Sequence, residues 1–362
     1  MKINNKFLKH QNGFVLVTTL WILAALTIAA SYFALWTQKS VNIVQDMQAD
    51  TQGEIDMYST QTSITYLLIT QKLNVAGLTV PKIDDNIEEI EEIEVDEISS
   101  DSILPVGGEI KLDDRPYVGY GKAFFALQDK RGLIGINFAD KNVISSLLGV
   151  LGVEPELRGP LVAKLQDYID FDDLHRLNGA EDSHYKRLNL PPPINNYLTT
   201  SMECKNILDW SEQETLWKNN AFGQLTNTMF ATYPNFNTAP ALVLQAAYNL
   251  TTEHAQRIVA TRKNSPVLSI DQLNQMTGTM VDVDPEELMI FPSTNLRLTI
   301  WYEGSKRMRQ VHINLPLSLI SDKKPWEIDY YLDIPLLPIY TEIPPIHAQT
   351  TFFDSTLSPK MQ

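Results

Sequence analysis

One uncharged stretch near the amino terminus constrains this chain more than any other feature. From Phe14 to Gln38 the sequence reads FVLVTTLWILAALTIAASYFALWTQ, without a single Asp, Glu, Lys or Arg. A helix of this length rises about 37 Å, which is enough to cross a hydrocarbon layer of about 30 Å. Residues 14–38 are therefore predicted to form a transmembrane helix.

The leader in front of this stretch predicts its orientation. Residues 1–13 contain Lys2, Lys6 and Lys9 and no acidic side chain. Because positively charged flanks stay on the cytoplasmic side of a membrane, we expect the leader in the cytoplasm and the chain beyond residue 38 outside it. The sequence thus predicts a single-pass membrane protein with an exported soluble part.

The remaining chain has the composition of a folded protein with an acidic surface. Of its 362 residues, 44% are hydrophobic and 20% are charged, and the formal net charge is −15 at pH 7. This excess of carboxylates repels phosphate backbones, which argues against nucleic acid as a partner, and it suits cations such as calcium. Cys204 is the only cysteine, so no internal disulfide can form, and we predict a buried, unreactive thiol.

Beyond the membrane segment, apolar residues continue at helical spacing, which predicts that residues 39–80 extend the same helix. From about Ile55 to Leu73 the apolar stripe widens, as expected where a helix packs on its own domain. Residues 81–112 follow as an acidic loop, in which Pro81–Asp101 holds ten carboxylates. A calcium site there is an alternative, but this segment has no glycine for a turn, and like-charge repulsion favours a solvated loop.

Strand patterns occur in two widely separated regions. The first is predicted to be a hairpin with arms at 117–128 and 133–137, and the second a hairpin with arms at 295–303 and 307–315. In both regions, aromatic and β-branched residues are interrupted by a turn that contains glycine. The two hairpins therefore bracket the part of the chain that lies between them.

The bracketed part, residues 139–291, has the periodicity of short amphipathic helices. Ser269 with Gln272 three residues later forms a capping box at the start of one of them. The economical topology is an α+β fold in which an all-helical domain is inserted into a discontinuous antiparallel sheet, residues 113–138 plus 292–317. Helices are predicted at 140–152, 155–171, 239–250, 252–263 and 269–276.

The densest polar cluster in the insertion is DYIDFDDLHRLNGAED, residues 167–182. Hard carboxylate oxygens around a loop suit calcium, although the spacing is not that of an EF-hand. A solvated acidic loop is the other interpretation that the residues allow. The candidate ligands are Asp170, Asp172, Asp173, Glu181 and Asp182.

No catalytic motif is found, and we predict that the chain is not an enzyme. The histidines form neither an HExxH pair nor a metal-ligand spacing with Cys204, and the sequence has no P-loop, dinucleotide fingerprint or GxSxG elbow. The proline-rich residues 318–362 are predicted to be an extended tail without catalytic content, with docking of part of it as an alternative.

The amino-terminal pattern resembles the class III leader of type IV pilins and type II secretion pseudopilins. Gly13 stands directly before the apolar run, whereas an ordinary secretory signal has its cleavage site after that run. The resemblance implies that the prepilin peptidase cuts after Gly13 and that the new amino terminus, Phe14, is methylated. The alternative is an uncleaved signal anchor or an ordinary signal peptide.

Thr18, the fifth residue after the expected cut, departs from the pattern of that family. Most members have Glu there, which is thought to pair with the amino terminus of the subunit assembled before it. A subunit without this acid has no predecessor to engage, as is the case for the K-type minor pseudopilin at the tip of the pseudopilus. Thr18 is therefore the candidate tip-determining residue.

Two segments of the insertion resemble the K-type family more specifically. These are N-G-A-E-D at 178–182, and N-x-N-T-A with Asn235, Asn237, Thr238 and Ala239. Family members bind calcium in this domain, which is SAM-like. The second segment leads into a unit resembling a helix-hairpin-helix, but its hairpin lacks the glycines with which DNA-binding versions approach phosphate, so we expect protein packing instead.

The resemblance implies a tip subunit of the type II secretion pseudopilus that initiates assembly and supports secretion across the outer membrane. It implies I- and J-type minor pseudopilins, the major pseudopilin and the prepilin peptidase as partners, an inner-membrane anchor and a periplasmic soluble domain. The alternatives are a minor pilin of a type IV system and, less favoured, a membrane-anchored DNA receptor of a competence system.

Overall fold

The computed structural model describes residues 12–81, 104–316, 324–348, 350 and 353. It divides into two compact units, Met1–Ile55 and Asp56–Gln362, which are considered separately. The leader up to residue 11 and nearly all of the acidic block Pro81–Asp101 lie outside the described residues.

The first unit consists, in its described part, of the amino-terminal portion of helix α1 (Asn12–Thr70). The helix ends at Thr70, so its predicted continuation to residue 80 is wrong: residues 73–78 form a short antiparallel strand pair instead. The apolar window of this helix has a mean hydropathy of 1.9, and none of it is buried within the structure. Helix α1 is thus long and apolar enough to cross a membrane. Its hydroxyl side chains bond to the preceding turn, so they add no unpaired polar group to this surface.

The second unit is built on a five-stranded antiparallel sheet with the order β3-β4-β7-β8-β9. One face of this sheet packs against the last turns of α1, where Ile64 and Leu67 contribute to the same core as Phe125 and Val311. The sheet and helices confirm the predicted α+β class. The strands are β1 (Leu73–Asn74), β2 (Gly77–Leu78), β3 (Asp113–Val118), β4 (Ala123–Asp129), β5 (Ile134–Gly135), β6 (Thr226–Asn227), β7 (Asn295–Tyr302), β8 (Arg307–Asn314) and β9 (Glu327–Pro335).

The second predicted hairpin is confirmed as β7 and β8, whereas the arms of the first were assigned wrongly. Strand β4 pairs with β3 across a turn at residues 119–122, and β5 leaves the sheet to pair in parallel with β6. The turn forms at Gly121, whose φ of +58° favours glycine, and an added Cβ there would collide with Asp56 of α1. Gly119 and Gly121 were both predicted to lie inside the strand 117–128.

The inserted helices lie between β4 and β7 around a separate hydrophobic core that includes Leu147, Leu165 and Trp210. The helix predictions agree with the structure to within a few residues at each end. Ser269 accepts a hydrogen bond from the Gln272 amide, as the capping box predicted. The helices are α2 (Lys141–Val150), α3 (Pro155–Ile169), α4 (Asp182–Arg187), α5 (Glu214–Trp217), α6 (Ala221–Leu225), α7 (Ala241–Tyr248), α8 (Thr252–Thr261) and α9 (Ile270–Thr277).

The carboxyl-terminal segment is not simply an extended tail, which corrects the prediction for residues 318–362. Strand β9 pairs with β8 along its length, and helix α10 (Pro338–Glu342) follows it. Ile346 then pairs with Tyr117 at the opposite edge of the sheet. The segment alternates apolar and polar residues in IDYYLDI, which is a strand pattern that its flanking prolines obscured.

Candidate functional site

The acidic segment of the insertion runs from the last turn of α3 to the first turn of α4. Asp167 is fully buried in α3, Asp170 ends that helix, and Glu181 precedes α4. One carboxylate oxygen from each of these three residues lies within 4.8 Å of the others. The loop therefore brings Glu181 close to two carboxylates that precede it by 11 and 14 residues in the sequence.

Several oxygens in this cluster have no hydrogen-bond partner among the residues that the structure describes. Glu181 is only 5% exposed, yet both of its carboxylate oxygens lack a hydrogen bond, as does Oδ1 of Asp170. A buried carboxylate without a donor is costly unless a cation or proton neutralises it. Burial, followed by the charges of Asp167 and Asp170, raises the pKa of Glu181 to about 7.

Arg176 neutralises part of this charge from the same loop. Its Nη1 donates to Oδ1 of Asp167 over 2.8 Å and also to Oδ2 of Asp170. It does not reach Glu181, so that side chain remains without a compensating charge among the described residues. The oxygens left over are hard donors of the kind that calcium prefers.

The N-G-A-E-D segment closes the loop over Asp167. Asn178 has a φ of +63°, which asparagine tolerates, and the backbone then brings Gly179 against the carboxylate of Asp167. A Cβ at Gly179 would overlap Oδ2 of Asp167, so only glycine allows this approach. The segment therefore has a structural reason for its sequence, independent of any ligand.

The cluster contains only two of the five predicted ligands, Asp170 and Glu181. The other three have different partners. Asp172 accepts a hydrogen bond from the Leu174 amide, Asp173 accepts one from the Asn195 side chain, and Asp182 forms an ion pair with Lys186. Asp167 was not among the predicted ligands. Asp167 precedes Asp170 by three residues, which is the spacing of neighbours on a helical surface, and this spacing could have identified it from the sequence.

The N-x-N-T-A segment forms a buried polar network at the junction of the insertion and the sheet. Its centre is Asp129, the last residue of β4, which is fully buried. Its Oδ2 accepts bonds from Asn235 Nδ2 at 3.1 Å and Thr238 Oγ1 at 2.9 Å. Its Oδ1 accepts bonds from the Arg131 amide and from the amide and hydroxyl of Ser293. Asp129 thus links the two chain segments that join the insertion to the sheet, at Arg131 and Ser293, with the N-x-N-T-A segment inside the insertion.

The unit that follows differs from a DNA-binding hairpin in its turn. Helix α7 ends at Asn249, which has a φ of +50° and takes the left-handed position that glycine often fills. Asn237 then bonds to the backbone of Val267 and to Ile290, so the motif packs the unit together. The side chain of Asn237 therefore stabilises the packing of this unit within the protein.

The amino-terminal candidates all lie in α1. Gly13 and Phe14 are in its first turn, and Oγ1 of Thr18 donates to the carbonyl of Val15 at 2.9 Å. The side chain of Thr18 is thus neutral and bonded within its own helix. No acidic residue precedes it in the described part of the helix.

Two family models match the chain, and both describe the type II secretion system protein K. One matches residues 127–216, which include the three-carboxylate cluster, and the other matches residues 234–286, which include the N-x-N-T-A segment. These two matches support a K-type minor pseudopilin of the type II secretion system. Helix α1 has the length and composition that fit a single-pass membrane anchor of such a subunit.

One similar solved structure is also found. The crystal structure of the GspK-GspI-GspJ complex from enterotoxigenic Escherichia coli shares 15% sequence identity with this chain. The match covers 61% of this chain and 82% of that chain, with a TM-score of 0.41. The comparison with curated proteins gives no match.

Proposed function

We propose that this protein K subunit occupies the tip of the pseudopilus, where it starts assembly and supports secretion across the outer membrane. Thr18 carries this proposal. In pseudopilins with an acid at this position, the carboxylate is thought to pair with the amino terminus of a neighbouring subunit, and a hydroxyl bonded to Val15 cannot supply that charge. A subunit that cannot follow another fits only the first place in a fibre.

The large insertion supports the same location. It connects β4 to β7 and has its own hydrophobic core, so it adds a second globular mass to the pilin-like sheet. Within a fibre of closely packed subunits, such a mass requires space that neighbouring subunits occupy. At the end of the fibre, the insertion meets solvent instead.

The anchor and the partners follow from this role. Before assembly, residues 14–38 hold the subunit in the inner membrane with the sheet and insertion in the periplasm. The prepilin peptidase removes residues 1–13 and methylates Phe14. The uncharged helix then packs among the helices of I- and J-type minor pseudopilins and of the major pseudopilin. No catalytic role is proposed.

The partners can be tested by co-expressing the full chain with the I- and J-type subunits of its own secretion system. After extraction into mild detergent, we expect an affinity tag on this chain to recover both partners in stable amounts through gel filtration. An I- and J-type pair that elutes without this chain would contradict the partner assignment.

We further propose that the cluster of Asp167, Asp170 and Glu181 binds calcium. The unpartnered oxygens of Glu181 and Asp170 fit a hard cation, and the close approach of Gly179 holds the Asp167 side of the cluster in place. A bound ion would supply the positive charge that Glu181 lacks and would stabilise the loop between α3 and α4. The role proposed for the ion is structural.

Calcium is therefore expected to raise the melting temperature of the full chain. At a calcium concentration of a hundred times Kd, binding adds about 2.7 kcal/mol, which corresponds to a rise of roughly 4 °C for a protein of this size. Without the ion, the raised pKa of Glu181 means that stability falls as pH rises through about 7, and a bound cation removes that loss.

The measurement is a thermal melt in calcium and in excess chelator. Glu181→Gln should abolish most of the calcium-dependent rise, while Asp172→Asn, a matched change on the same loop, should retain it. Identical melts of the native chain with calcium and with chelator would refute the calcium site.

A further inference from the structure

Four aromatic rings form a continuous strip on the surface of the insertion. Tyr197 is central, with its ring centroid 5.7 Å from that of Phe171 and 4.9 Å from that of Phe138. Phe138 in turn contacts Phe230 edge to face, with centroids 5.0 Å apart. We call these four residues the aromatic strip. Each comes from a different loop, so the fold assembles a surface that no single segment carries.

The strip is exposed although its rings contact one another. Phe230 is 73% exposed, Phe171 is 69% exposed and Tyr197 is 49% exposed. The core of the insertion is formed by other side chains. Leu174 and Leu177, on the same loop as Phe171, are 74% and 88% exposed. Exposed apolar groups that are contiguous, rather than scattered singly, mark interaction sites.

The charge around the strip is distributed unevenly. Residues 188–202 and 219–252, which supply Tyr197 and Phe230, contain no charged side chain in a chain of net charge −15. The loop of Phe171 instead exposes two carboxylates, Asp172 and Asp173, beside the rings. Arg176 on that loop is engaged by Asp167 and Asp170. The strip therefore has an uncharged centre and an acidic margin.

We infer that the aromatic strip is a docking surface for another protein, which inserts an apolar segment flanked by Lys or Arg. Depletion of charge and enrichment of aromatic residues are the composition of an interface centre. The acidic margin selects basic residues at the edge of the partner segment by charge complementarity. The same carboxylates repel anionic lipid headgroups, which favours a protein partner over a membrane surface.

The probes are two synthetic peptides with the same Phe-Trp-Leu-Tyr centre, one flanked by lysines and the other by glutamates. The full chain is held in phosphatidylcholine nanodiscs with calcium present throughout, and peptide binding is measured by fluorescence anisotropy. We expect the lysine-flanked peptide to bind at least tenfold more tightly than the glutamate-flanked one.

Variants locate the binding. Phe230→Ser and Phe171→Ser should each weaken binding of the lysine-flanked peptide by about tenfold, since interface-centre aromatics commonly contribute more than 1 kcal/mol. Tyr58→Ser removes an equally exposed ring, 71% against 73%, from α1 and should leave binding unchanged. Asp172→Asn combined with Asp173→Asn should reduce the preference between the two peptides.

Three outcomes would overturn the inference. The first is that neither peptide binds, and the second is that Phe230→Ser and Tyr58→Ser weaken binding equally. The third is that the nanodisc-held chain floats with anionic phosphatidylglycerol vesicles and that Phe171→Ser or Phe230→Ser abolishes this flotation. That result would identify the surface as a membrane contact.

Discussion

Replacing Gly13 by Val is expected to abolish maturation of this protein. The processing proposed above is a cut directly after Gly13 at the cytoplasmic edge of the membrane helix, and a branched side chain at that position is expected to block the cut. The variant should therefore keep residues 1–13. The retained lysines of the leader would also resist extraction of the helix into a fibre, because they remain on the cytoplasmic side.

Intact-mass measurement of the protein isolated from its native host distinguishes the two forms. The native chain should have the mass of a polypeptide that begins at methylated Phe14, and Gly13→Val should have the mass of the unprocessed chain. Asn12→Ala, one residue further from the cut, is the control and should mature normally. A Gly13→Val protein of mature mass would refute the assigned processing site.

Replacing Asp129 by Ala is expected to cause the largest loss of stability of any single change at the junction. The substitution removes one acceptor group and leaves five donors of the network without their partner, three of them backbone or side-chain groups of Arg131 and Ser293. Each buried donor that loses its partner costs about 1–3 kcal/mol, so the total loss is expected to exceed about 3 kcal/mol.

Urea unfolding followed by tryptophan fluorescence measures this loss, because Trp210 is fully buried in the core of the insertion. The midpoint for Asp129→Ala should fall well below that of the native chain. Asp282→Ala, at an exposed carboxylate, should change the free energy of unfolding by no more than about 0.5 kcal/mol. Equal midpoints for the two variants would show that Asp129 does not stabilise the junction.

The features that local sequence determines were predicted well. The membrane helix follows from an absence of charge over one continuous stretch, and the inserted helices follow from periodicity with caps such as Ser269. The hairpin of β7 and β8 follows from alternation on both sides of Gly304. Each of these signals lies within one element or one turn.

The features that depend on distant contacts were missed. The turn at Gly121 is fixed by its approach to Asp56, and a glycine in a strand pattern gives no such information. Strand β9 adds to the sheet only because β8 presents a free edge. Asp167 belongs to the candidate metal site because the chain folds back at Gly179 and brings Glu181 close to it. In the sequence, Asp167 was not distinguished from other polar residues of a helix.

The position of this subunit along isolated pseudopili tests the central claim most directly. An epitope tag in the exposed loop after β7, at Gly304, can be labelled with gold on fibres sheared from cells that overproduce the major pseudopilin. The account predicts one label at one end of each fibre, whatever its length. Labels distributed along the fibres would contradict a tip subunit.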